Sequence, residues 1–164
     1  MRVLLIVVAA FSTACAASTP RPFPGRGPTT PVRNATPGTS TTSTGYEVSG
    51  TALEFRGTPY RNGGADPTGF DCSGFVWYVF GQHGLAVPRT VQDQFRIGES
   101  IPASDLRAGD LVFFSTTSSG PSHVGIVIGG DSFVHAPSSS GVVRVERLGA
   151  SYWASRFVGA RRIL

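Results

Sequence analysis

Three residues are of types that could act together on a carbonyl carbon: Cys72 in FDCSGFVW, His123 in SHVGIVIGG and His135 in DSFVHAPS. A thiolate is a strong nucleophile, and an imidazole beside it can take the thiol proton and later return it to a leaving amine. A third polar group bonded to the far nitrogen of the base would set its orientation. In this reading Cys72 attacks, His123 serves as base and then acid, and His135 orients His123, although an imidazole orients less firmly than a carboxylate. The residue types alone are also compatible with two blander roles. Cys72 could be an inert buried thiol. The three side chains could also be zinc ligands, but the short paired spacings typical of zinc sites are absent, so no metal and no cofactor is expected. His83, at the end of a predicted helix, is read as structural.

These residues work only if the elements carrying them converge. Cys72 opens an apolar run containing Phe75, Val76, Tyr78, Val79 and Phe80, which reads as a helix over 72–83 with Asp71 as its N-cap. The unpaired N–H groups at a helix start favour a thiolate, so the Cys72 pKa is expected to be lowered. Gly74 and the glycines before it are expected to keep the approach open to an extended substrate. Shorter helices are predicted at 48–56 and 90–95. Beyond Gly109 and Asp110 the pattern changes to short apolar runs bounded by Gly and Ser, read as strands at 111–115, 122–128, 132–136, 142–146 and 157–163. Helices followed by strands argue for an α+β fold, with N-terminal helices packed on an antiparallel sheet of about five strands. The histidines flank a predicted hairpin. A three-residue turn over 129–131 pairs 128 with 132 and 125 with 135, which brings His123 and His135 diagonally onto one face. A two-residue turn would send one of them to the opposite face.

The start of the chain has a different character. Arg2 precedes an apolar run over 3–11, then Ser12, Thr13, Ala14 and Cys15. The run is far short of the ~20 residues needed to span a bilayer, and the layout is that of an export signal over 1–15. Cys15 is placed like the acylated cysteine of a bacterial lipoprotein signal, with cleavage after Ala16 as the alternative. Residues 16–45 are nearly all Thr, Ser, Pro, Gly and Arg and read as a disordered tether. That leaves 46–164, about 120 residues, for one domain in which Cys72 is the only thiol. In an exported chain a lone thiol suggests a working one. The fourteen basic residues are all Arg, against ten acids. This mild excess, without basic blocks interleaved with aromatics, speaks against nucleic acid as a partner.

Six blocks in this order, GTPYRNGG, FDCSGFVWYVF, VPRT, LRAGDLVFF, SHVGIVIG and FVHAPS, resemble the NlpC family of papain-like cell-wall cysteine peptidases from about residue 51 to 164. The resemblance implies hydrolysis of peptide bonds in peptidoglycan stem peptides, with Cys72, His123 and His135 as the catalytic residues. It also implies that Tyr60 completes the oxyanion site beside the Cys72 amide, and that Asp71, Ser73 and Ser122 shape the substrate site. Arg89 could meet a substrate carboxylate or an acid of its own domain, and Asp110 is expected to bond backbone at a turn. The tethered form resembles small lipoprotein murein endopeptidases, which cut the D-Ala–diaminopimelate crosslink or the γ-D-Glu–diaminopimelate bond. An envelope location follows, as a monomer anchored to a membrane by lipid on Cys15. Two alternatives remain: a catalytically silent wall-binding lipoprotein, and a Cys–His amidase or acyltransferase.

Overall fold

The computed structural model describes the backbone of residues 37–164 and the side chains of residues 42–164. The expected export signal with Cys15, and the expected tether up to residue 36, lie outside the described residues. Helix α1 (Pro37–Glu54) begins well before the expected 48 and takes in the last part of the expected tether. Its Ser- and Thr-rich first turns have no apolar period to read. Tertiary packing holds the helix instead, with Gly45, Val48, Ser49 and Ala52 buried. A side chain at Gly45 would overlap the Ala108 carbonyl oxygen.

The loop after α1 folds into a miniature hairpin, β1 (Ala65–Asp66) and β2 (Gly69–Phe70), which the sequence pattern did not suggest. Helix α2 (Cys72–Gln82) follows, where the apolar run predicted it. Asp71 caps it as expected, accepting from the Gly74 N–H at 2.7 Å. At the other end His83 is the C-cap, and its Nε2 lies 2.9 Å from Thr51 Oγ1 of α1, a structural role as expected. Thr90 caps the short α3 (Val91–Arg96).

The remainder is mostly sheet: β3 (Glu99–Ile101), β4 (Leu111–Phe114), β5 (His123–Gly129), β6 (Ser132–His135), β7 (Arg144–Arg147), a one-turn helix α4 (Ser151–Ala154) and β8 (Phe157–Arg162). Six strands, not five, pair antiparallel in the order β3-β8-β4-β5-β6-β7. The additional strand, β3, is an edge strand with only Ile101 buried, too short and polar to show a period. β7 starts two residues late, because Val142 and Val143 bridge instead to the loop after α1.

The sheet is covered on both faces, which is why β4 reads as an unbroken apolar run. Leu111 and Phe113 join Val124, Ile126 and the inner sides of α1 and α2, while Val112 and Phe114 join Val127, Phe133 and Trp153 on the other face. Asp110, buried at the entrance to β4, accepts from the Arg107 N–H as expected and pairs with Arg162 through both oxygens.

The β5–β6 turn departs from expectation in construction and agrees in outcome. Gly129 pairs with Ser132, so only Gly130 and Asp131 form the tip, yet Val127 pairs with Phe133 and Ile126 with Val134. A bulge between Val127 and Gly129 absorbs the extra residue and restores the register that a three-residue turn would give. Gly129 (φ 115°) and Gly130 (φ 57°) supply the left-handed conformations this needs.

Candidate active site

Cys72 is the first residue of α2, half-buried and unpaired. Backbone groups of Ser73, of Val124 in β5 and of Cys72 itself hydrogen bond to the sulfur and favour the thiolate. They do not prevail. Burial, and then the neighbouring Asp71 carboxylate, push the thiol up to about 11. The expectation of a lowered thiol pKa is therefore corrected. The helix start sits in a dry place, and the residue that caps it is an anion.

His123 opens β5 directly before Val124, so this imidazole stands next to the strand residue that touches the sulfur. His123 Nε2 lies 2.7 Å from His135 Nδ1, the rings near perpendicular at 83°. This leaves Nδ1 of His123 as its unengaged nitrogen. Burial holds His123 down at about 4, and burial together with the neighbouring His123 and Arg144 holds His135 down at about 2. Both rings are neutral at pH 7. When His123 donates from Nε2, its Nδ1 keeps a lone pair, the form a base requires. The one proton of His135 then sits on Nε2, which is buried with no hydrogen-bond partner.

Gly125 is what lets this pair close. It sits across the hairpin from His135 in the β5–β6 register. A Cβ there would come 2.6 Å from the Phe133 ring and 3.2 Å from the His135 Cβ.

Trp153 is a functional candidate that sequence reasoning missed. Its indole stacks on His123, with centroids 5.6 Å apart and planes 26° apart, and meets His135 edge-on at 4.8 Å. The indole is only 8% exposed, and so covers the histidine pair on the side away from Cys72's helix. Lying alone in SYWAS, far along the chain from either histidine, it gave no periodic or motif signal.

Tyr60 is half-buried, held by its N–H on the Gly141 carbonyl at 2.7 Å and bridged to Phe70. Burial raises its phenol pKa, and Cys72 and Asp71 add to this, which places the hydroxyl within electrostatic reach of the sulfur. Asp71 and Ser73 have other partners. Arg89 grips Asp71 with Nη1 at 2.9 Å and Nη2 at 2.6 Å, and Nη1 also reaches Ser73 Oγ at 2.9 Å. Ser73 is buried, and Arg89 meets an acid of its own domain. Arg89 thereby fastens Asp71 and Ser73, both expected at the substrate site, at the start of α2. Gly74 serves the same end, because a side chain there would overlap the Gly64 carbonyl oxygen. Ser122, also expected at the substrate site, engages the loop ahead of the histidine. Its hydroxyl accepts from Thr116 N–H at 2.8 Å and Thr117 N–H at 3.2 Å, closing the β4–β5 loop ahead of His123.

Known proteins resemble this chain over most of its described length. A family model, NlpC/P60 family, matches residues 57–162. The chain is 46% identical over 112 residues to the murein DD-endopeptidase MepS/murein LD-carboxypeptidase of Escherichia coli (strain K12), a match spanning 68% of this chain and 58% of that protein. The chain therefore spans somewhat over half the length of that relative. An NlpC/P60 family protein from Bacillus cereus superposes with a TM-score of 0.69 at 33% identity, covering 73% of this chain and 40% of that one. The NlpC/p60 domain of the peptidoglycan hydrolase SagA gives 0.63 at 36% identity and is covered over 97% of its length, with 72% of this chain.

Proposed function

The chain belongs to the NlpC/P60 family, and from that premise we propose that it is a peptidoglycan endopeptidase that hydrolyses peptide bonds of murein stem peptides through Cys72. The observation that carries the reading is the 2.7 Å contact between His123 Nε2 and His135 Nδ1, in a buried pair next to the residue that touches the Cys72 sulfur. Both groups rest neutral, so the reaction starts from thiol and imidazole. Nδ1 of His123 takes the proton of Cys72 as sulfur bonds to the peptide carbonyl carbon. The oxyanion forms against the Cys72 amide and the Tyr60 hydroxyl. The proton on His123 then passes to the nitrogen as the C–N bond breaks, which leaves an acyl-thioester and frees the amine. Water, deprotonated by His123, attacks the thioester, and the carboxylic acid leaves as Cys72 regains its proton. Asp71, Ser73 and Ser122 shape the substrate site in this reading, with Arg89 holding the first two in place.

The fourteen arginines and the neutral site are compatible with an anionic wall polymer as substrate. Cys15 is the lipid attachment point in this reading. It holds a monomer at the membrane, within reach of the wall. No cofactor enters.

The test is digestion of purified peptidoglycan by the full chain beside Cys72→Ala, with fragments identified by mass. Shortened or uncrosslinked stems from wild type alone support the endopeptidase and name the bond. Intact walls from both folded proteins point to a silent wall-binding protein. Whole stems freed from glycan point to an amidase.

A further inference from the structure

Beside His123, and lined by neither Cys72 nor Tyr60, lies a recess of about 220 Å³. Thr117 comes to it from the β4–β5 loop, Ser138 and Ser139 from the loop after β6, and Tyr152 and Trp153 from α4. The hydroxyls of Thr117, Ser138 and Ser139 hydrogen bond to no described residue. One wall is a stack of rings leading away from the base. Trp153 lies on His123, Tyr152 meets Trp153 edge-on at 4.8 Å, and the Arg156 guanidinium sits 3.9 Å from the Tyr152 centroid. Nη1 of Arg156 is bound to the Tyr152 carbonyl and to Ser155 Oγ. Its Nη2 and Nε bond to no described residue, and no described carboxylate pairs with it.

The position of the recess determines which half of a substrate it faces. His123 delivers its proton to the leaving nitrogen, so the residue attached to that nitrogen lies on the His123 side, away from the oxyanion donors. The charge at the recess favours one class of residue. The lining offers hydroxyl donors and no carboxylate, and an unneutralised guanidinium stands at the outer end of the stack.

We propose that this recess is the subsite for the leaving residue, and that Arg156 makes it selective for a leaving residue bearing a free carboxylate. The inference rests on the endopeptidase reading above, in which diaminopimelate is the leaving residue and brings such a carboxylate. The flat face of Tyr152 supports the aliphatic part of the residue, and the loop hydroxyls and Arg156 receive the carboxylate oxygens.

The test uses the full chain and two synthetic stem peptides with the same scissile bond, one with a free carboxylate on the leaving diaminopimelate and one with a carboxamide there. Wild type is expected to cleave the acid about tenfold better in kcat/KM, with the difference residing in KM. Arg156→Gln brings that ratio close to one, and Arg156→Lys, which keeps the charge, retains part of it. A ratio near one in wild type overturns the proposal, and so does a ratio unaltered in Arg156→Gln. Failure of wild type to cleave either peptide is a different result: it removes the endopeptidase reading itself, and this inference with it.

Discussion

The indole of Trp153 lies flat against the imidazole of His123, 5.6 Å between centroids, while its edge meets His135 at 4.8 Å. One side chain thus shields both partners of the 2.7 Å histidine contact and contributes to the burial that lowers both of their pKa values. Water excluded from such a contact strengthens it, and a base kept neutral down to about pH 4 is ready across the neutral range.

Trp153→Leu opens that cover. In the proposed mechanism His123 starts unprotonated, so the acid limb of kcat/KM reports its pKa, near 4 in wild type. Admitting water relieves the burial and moves the pKa up towards 6.5, so the variant loses activity at pH 5.5 while keeping more of it at pH 8. A pH–rate profile checks this, and an acid limb that stays in place would sink the shielding role.

Removing His135, the proposed orienter, should cost rate more than binding. His135→Ala leaves His123 Nε2 without a partner in a dry site, and kcat is expected to fall by about a hundredfold or more with little change in KM. His135→Asn, which still presents an acceptor, restores part of the loss. Equal activity in the alanine and asparagine variants would show that the hydrogen bond is not what matters.

Stability should depend on pH in a defined window. Unfolded imidazoles take up protons near pH 6.5, whereas folded His123 waits until about 4 and His135 until about 2. Below pH 6.5 the unfolded chain binds protons that the folded one refuses. Stability is therefore full above that pH and declines as pH falls towards 4. The loss is up to about 1.4 kcal/mol per pH unit for each histidine. Denaturant midpoints between pH 8 and 4.5 measure this, and a curve that is flat from 7 to 5 would contradict it.

Gly125→Ala puts a methyl group 2.6 Å from the Phe133 ring and 3.2 Å from the His135 Cβ. The strand or the rings must shift, at about 1–3 kcal/mol. The thermal midpoint should drop, and kcat with it, because the displaced ring is the proposed orienter. An alanine variant of wild-type stability and rate would show that the hairpin relaxes without moving His135.

Arg89→Ala should act on the nucleophile from a distance. It leaves the Asp71 carboxylate, which already raises the Cys72 pKa, without its bidentate partner. The thiol pKa should rise further, and the midpoint of thiol alkylation against pH should shift upward. An unchanged midpoint would mean that solvent screens Asp71 as well as Arg89 does.

Much of this molecule could be read from short stretches of sequence. The α2 helix over Cys72 and its Asp71 cap, the Thr90 cap and five of the strands follow from local pattern, because backbone periodicity and capping are satisfied by neighbours within a few residues. Cys72 and the two histidines could be singled out as candidates for a related reason, since reactive side chains are few and a hairpin's alternation decides which of them share a face. Tertiary structure decided the rest. α1 forms over a stretch with little apolar pattern because Gly45 docks on Ala108. Arg89 closes on Asp71 and Ser73 from more than a dozen residues along the chain, a contact that local pattern does not show. The bulge after Val127 rescues a register that the two-residue tip alone would have lost. Trp153 reaches His123 only when α4 folds back across the sheet, and the thiol rises to about 11 only because the chain buries it beside an anion. Composition and spacing determine which groups are present, but desolvation and distance set what those groups do, and both arise only when distant segments pack.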